Sequence, residues 1–150
     1  MNISATSDVF NLQAFMLGCG MLFLCLVVHA FFVLLVTTRF KASIQRLTKE
    51  NRKVSAQMIF FLSILVLLIS HLIQIFAWGL FTYLWGIIPN EHQAMVFAGS
   101  TYTTVGFTSD PIPTGWQLLT IIMAVSGLFS FGWSTAIMLI LSQVLFPSEK

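Results

Sequence analysis

The sequence predicts an all-α membrane protein, and three observations lead there. Hydrophobic residues make up 57% of the 150, charged residues only 8%, and the mean hydropathy is +0.92; an ordinary soluble domain carries about 25% charged residues. Three apolar runs, roughly 11–38, 56–88 and 115–146, each supply the roughly 20 residues that a helix needs to cross a bilayer core of about 30 Å. Between the second and third runs lies a polar dip that contains Thr103-Thr104-Val105-Gly106-Phe107. Three spans with short connections leave no room for a separate soluble domain. Burial must then come from helix packing in lipid and from oligomerisation.

Residues 1–38 comprise a tail and the first transmembrane helix. The tail contains Asp8 but no Lys or Arg, and the apolar stretch after it exceeds the roughly 7–15 residues of a signal-peptide core. It therefore reads as a retained span. Gly18 and Gly20 permit close helix approach. Cys19 and Cys25 are six residues apart, about 240° around a helix axis, so they cannot pair within it.

Six of the seven basic residues, Arg39, Lys41, Arg46, Lys49, Arg52 and Lys53, fall in the link 39–55. The positive-inside rule puts that link in the cytoplasm. The N-terminus and the segment 89–114 are then outside, the C-terminus is inside, and the expected location is the cell (inner) membrane. Phe40, Ile44, Leu47 and Val54 recur at helical spacing among these cations. An interfacial amphipathic helix facing anionic lipid headgroups fits this pattern; a short solvated basic turn is the alternative.

The outer end of the second span, 56–88, is aromatic, with Trp78, Phe81, Tyr83 and Trp85 as expected headgroup-level anchors. Pro89-Asn90 stops it. Asn90 as N-cap and Gln93 three residues on predict a short helix over 91–102. An extended Thr/Val/Gly stretch, 103–108, follows. Pro111, Pro113 and Gly115 then form a turn, and Trp116 opens the third span, 115–146. Helix, half-helix, extended segment and helix form a re-entrant arrangement. Non-helical backbone at membrane depth survives only when it is buried in protein or lines a watery cavity. A half-helix descending from outside would bring its partially negative end near mid-membrane, which favours a cation.

On these residues the stretch 91–136 resembles the pore module of the tetrameric potassium channel family. The family filter reads Thr-Val-Gly-Tyr-Gly-Asp, often with Phe for Tyr. Thr104-Val105-Gly106-Phe107 matches it in register, preceded by Thr103. Gly127, Ser130-Phe131-Gly132 and Thr135-Ala136 are similar to the family's hinge stretch. Residues 56–146 would then be the pore module: outer helix 56–88, pore helix 91–102, filter 103–108 and inner helix 115–146.

The resemblance implies a homotetramer, because a single copy of the unit must close a ring around the ion. It also implies potassium ions held by Thr103, Thr104, Val105, Gly106, Phe107 and Thr108. Gly106 would take a backbone conformation that a Cβ penalises, and Val105 and Phe107 would point away from the axis and pack behind the filter. Gly127 and Gly132 would be gating hinges. Glu91 and Asp110 would ring the outer mouth and concentrate cations there, or act as isolated surface charges.

The departures from the family are specific. Thr108 stands in place of the final glycine, Ser109 or Asp110 in place of the Asp, Val96-Phe97 in place of a Trp pair, and Ser100 where some members carry Glu. The lower ion sites look intact, whereas the upper ones depart. Val-Gly-Phe-Thr is also similar to filter loops of Trk- and HKT-type potassium transporters, whose chains contain four such units. The expectation is a monovalent-cation channel, potassium foremost. A weakly selective pore and a non-conducting accessory or sensor protein are the alternatives.

His29 and His71 lie inside spans, where ionisable residues are functional candidates by default. Cys25 with His29, and Met16 with Cys19, have spacings that a soft metal can use. Packing and a neutral histidine bonded to a neighbouring helix account for the same residues, and no transition metal is expected. No Arg ladder, nucleotide-binding domain or catalytic constellation is visible. Voltage sensing through a charged helix, enzyme activity, a cofactor and a nucleic-acid partner are not expected.

Overall fold

The computed structural model describes residues 11–49, 53–107 and 112–145, and their side chains except those of 45–49 and 53. Thr108, Ser109, Asp110 and Arg52 lie outside the described residues. The described chain is all-helical: α1 (Leu12–Lys49), α2 (Lys53–Leu84), α3 (Glu91–Tyr102) and α4 (Gln117–Leu145). Leu12–Ile44, Val54–Leu84 and Gln117–Leu145 are long and apolar enough to cross a membrane. Only 22%, 28% and 28% of their most apolar windows are buried, so most of the apolar surface faces outward, as lipid requires.

Helix α1 starts at Asn11, whose side-chain oxygen accepts the Ala14 N–H at 3.1 Å and so satisfies one of the orphan donors of the first turn. It then runs unbroken to Lys49, well past the expected boundary at residue 38. The first part of the basic link is thus not a separate interfacial segment. No Gly or Pro interrupts residues 21–49, and the apolar stripe does not stop at the cations. Val33, Val36, Phe40 and Ile44 are all buried, at steps of three and four that keep them on one face. Arg39 and Lys41 project from the exposed side. Val54, expected on the same stripe, is instead exposed on α2. The positions of Arg46, Lys49 and Lys53 are helical, without described side chains.

Helix α2 ends at Leu84, four residues before the expected boundary, and Gly86 is the reason. Its φ is +65°, its N–H donates to Tyr83 O at 2.9 Å, and the Ile87 N–H reaches back to Thr82 O at 3.0 Å. This pair of bonds is a Schellman cap, with glycine at the left-handed position. Among the outer aromatics, Tyr83 and Trp85 are exposed and Trp85 lies 6.4 Å from Trp116, ring to ring. Trp78 is not an interfacial anchor. It is fully buried, and its indole N–H donates to Ser126 Oγ at 3.3 Å, because a buried indole needs an acceptor.

Helix α1 packs on α2 and α4, and α3 sits against α2 and α4. Gly18 lets Leu119 and Ile122 of α4 approach α1 closely, whereas Gly20 faces open space. The interior divides into two apolar clusters. One gathers Cys25, Trp78, Ile87, Ala94, Phe97, Tyr102, Leu119 and Met123. The other gathers Val33, Val36, Phe40, Ile44, Leu67 and Leu141. Between them lies a layer of buried polar side chains.

Candidate functional site

Two parts make up the site: the loop that leaves α3, and the polar layer behind it. Asn90 caps α3 as its spacing to Gln93 suggested, its side chain accepting the Gln93 N–H at 3.0 Å. Glu91 is exposed in the first turn, where the helix dipole favours a carboxylate. Ala94, Phe97, Ala98, Ser100 and Tyr102 face inward. Close approach sets where α3 lies. A Cβ on Gly79 of α2 would overlap the Met95 sulfur. A Cβ on Gly127 of α4 would overlap the Tyr102 carbonyl oxygen and lie 2.9 Å from its carbonyl carbon. Gly132 meets nothing within 4 Å.

The loop folds back onto the helix end. The N–H groups of Thr103, Thr104 and Gly106 donate to the carbonyls of Gly99, Thr101 and Ser100 at 3.1, 3.0 and 3.0 Å. The Thr103 hydroxyl also donates to Gly99 O at 2.7 Å. The last-turn carbonyls of α3, orphaned in a bare helix, are thus largely taken up by the loop. Gly106 has φ +65°, the positive value that its lack of a Cβ admits. Thr104 is positive too, at +61°, which costs a β-branched residue about 1–2 kcal/mol. Its N–H bond to Thr101 and the donation of its hydroxyl to Thr103 O at 2.6 Å offset that strain. Strain of this kind concentrates at functional sites.

Thr103 to Phe107 are exposed on the single chain, Val105 at 65% and Phe107 at 67%. Val105 and Phe107 do not pack behind the loop of their own chain, where Phe97, Ala98 and Tyr102 already fill the interior. A cleft of about 440 Å³ lies between the loop and α4, bordered by Thr101, Thr104, Gly106, Ile112, Thr120 and Ile121.

Of the polar layer, the sequence singled out only His29 and His71. His29 of α1, Ser70, His71 and Gln74 of α2, Tyr102 of α3, and Ser130 and Ser134 of α4 are all buried. They sit near the middle of the three spanning segments. Gln74 Nε2 donates to His29 Nδ1 at 3.2 Å, and Ser70 Oγ lies 2.8 Å from the same nitrogen. His29 Nε2 meets Ser134 Oγ at 3.2 Å, and Ser134 Oγ meets His71 Nε2 at 3.0 Å. His71 Nδ1 meets Tyr102 Oη at 2.9 Å. Ser130 Oγ donates to Gln74 Oε1 at 3.0 Å.

The protons follow from this set. An amide nitrogen can only donate, so His29 Nδ1 accepts and Nε2 carries the hydrogen. His29 then donates to Ser134, Ser134 to His71 Nε2, and His71 Nδ1–H to Tyr102, while Ser130 donates to Gln74. The bonds run as one chain from Ser130 through Gln74, His29, Ser134 and His71 to Tyr102. Among the described residues no buried side-chain nitrogen or oxygen lacks a partner. His71 also stacks on Phe131, with ring centroids 4.3 Å apart.

The missed signal was a stripe in α4, Ser126, Ser130 and Ser134 at steps of four, which meet Trp78, Gln74 and the two histidines respectively. His29, weighed above as a soft-metal ligand against a histidine bonded to a neighbouring helix, spends both ring nitrogens on neighbouring helices. Among the described residues no three of His, Cys, Asp or Glu are grouped to hold a metal. Cys25 is buried and not in a disulfide. The layer is therefore a hydrogen-bonded network joining all four helices, with no Asp, Glu, Lys or Arg in it.

No protein-family model, curated protein or solved structure matches the chain.

Proposed function

We propose that the chain is one subunit of a homotetrameric cation channel. Monovalent ions, potassium foremost, would pass along Thr103–Thr108 at the four-fold axis. The observation that carries this reading is the loop itself. A three-turn helix ends against the middle of two spanning helices, and its chain then leaves in a non-helical conformation with positive φ at Thr104 and Gly106. Backbone of that kind, at that depth, needs protein or water around it. The single chain leaves it exposed. Four copies around an axis would supply both, with neighbouring chains against Val105 and Phe107 and water and ions against the carbonyls. In this reading α3 is a re-entrant pore helix entered from outside, α2 and α4 are the outer and inner helices, and α1 packs outside the pore. Its cytoplasmic end would present Arg39 and Lys41 to anionic headgroups, with Glu91 toward the outer mouth.

Rings of backbone carbonyls replace the hydration shell of a permeating ion. The residues Thr104, Val105 and Gly106 would provide them, with the Thr104 hydroxyl as a further oxygen. Thr108 in place of the family glycine favours one other outcome, a weakly selective pore, since a β-branched residue resists positive φ. Purified protein in liposomes tests both. Potassium flux that exceeds sodium flux supports the selective channel, equal fluxes support the weakly selective one, and absence of both rejects a pore.

A further inference from the structure

We infer that His71 and Tyr102 are positioning residues for the loop, and that the hydrogen-bond network at mid-membrane fixes its geometry from behind. The inference deepens the channel reading and rests on it for its consequence in ion selection. Tyr102 is the last residue of α3, next to Thr103, and it is held at two points. Its carbonyl abuts Gly127, where α4 has no side chain. Its hydroxyl meets His71 Nδ1 at 2.9 Å. His71 in turn is oriented by Ser134 at 3.0 Å and by stacking on Phe131.

Rotating Tyr102 away breaks its bond to His71, and in a dry apolar interior neither group finds water in exchange. The loop itself has little to hold it, because Val105 and Phe107 find no packing in their own chain. Its anchors are the three backbone bonds to Gly99, Ser100 and Thr101, all on the last turn that Tyr102 secures. Loss of the phenol hydroxyl therefore frees the last turn, and the loop follows.

The histidine offers a discriminating pair of substitutions. In His71→Asn the amide nitrogen stands where Nδ1 stood and still reaches Tyr102. In His71→Gln it stands where Nε2 stood and reaches Ser134 instead. Both keep a buried amide of similar polarity. The experiment places a Val105→Cys reporter in a Cys19→Ala, Cys25→Ala background and measures its rate of reaction with a polar maleimide in liposomes. Melting temperature and the potassium-to-sodium flux ratio are measured in parallel.

Tyr102→Phe and His71→Gln should raise the thiol rate about tenfold, the population change that follows from stranding one buried donor, and should lower the flux ratio. His71→Asn should stay near the parent in both. An unchanged thiol rate in Tyr102→Phe, whether or not its melting temperature falls, overturns the inference, as does equal behaviour of His71→Asn and His71→Gln. If the parent passes neither ion, the channel reading fails and the thiol rates alone decide the positioning role.

Discussion

Gly127 and Gly132 are five positions apart on α4, and their surroundings differ completely. At Gly127 the Tyr102 backbone occupies the space a methyl group would need, so close helix contact accounts for the glycine without any bending. At Gly132 the space is open. Gly127→Ala should therefore destabilise by about 2–3 kcal/mol, the upper range for forcing an extra carbon into a packed site, and should lower the thermal melting point in detergent. Gly132→Ala should stabilise by about 0.5–1 kcal/mol, since alanine loses less backbone entropy in a helix. If Gly132 bends during gating, that variant will also slow potassium flux while melting higher. Residue 108 tests the loop at the same scale. Thr108→Gly should raise the ratio of potassium to sodium flux, because it restores the residue that positive φ favours; an unchanged or lower ratio would refute a degraded filter position.

At the scale of the elements, boundaries follow caps more than hydrophobicity. The cap that ends α2 depends on one residue, Gly86 at φ +65°. Gly86→Ala should lower the melting temperature by an amount equivalent to about 1–2 kcal/mol, the cost of forcing an L side chain into the left-handed region. A neutral result would mean that the cap is not needed to end the helix.

The same element shows what was legible in the sequence. Twenty-residue apolar runs revealed the three spans, and Asn90 with Gln93 revealed the short third helix, because both are local signals. The end of α2 was not legible because its apolar character continues through Ile87 and Ile88, past Gly86. The length of α1 was not legible because cations interrupt the apolar run from Arg39 onward while the buried stripe Val33, Val36, Phe40 and Ile44 continues beneath them. The polar network was illegible for a different reason. His29, His71, Gln74, Tyr102, Ser130 and Ser134 come from four helices, and pairing across 31 to 105 positions leaves no local trace beyond serines every fourth residue. The strain at Thr104 was hidden likewise, since it arises from the loop's bonds back to Gly99, Ser100 and Thr101.

For the whole molecule, the order of layers bears on how many copies would assemble. Two apolar clusters lie either side of a buried polar layer, and the loop emerges from the level of that layer with its side chains uncovered. In lipid, exposed Val105 and Phe107 gain nothing by leaving the hydrocarbon, since tails are as apolar as they are. A drive to associate would come instead from the loop backbone, where each polar group left facing lipid without a partner costs several kcal/mol. Two copies cover such a loop from one side, whereas a closed ring covers it from both flanks and leaves a wet centre. The Val105→Cys reporter in the cysteine-free background tests this directly when membranes are treated with a bis-maleimide short enough to join adjacent loops. Products should climb through dimer and trimer and stop at tetramer, and trimer should convert to tetramer with time. A series that stops at dimer would exclude the single-ring assembly and, with it, a four-fold ion path built from one loop per chain.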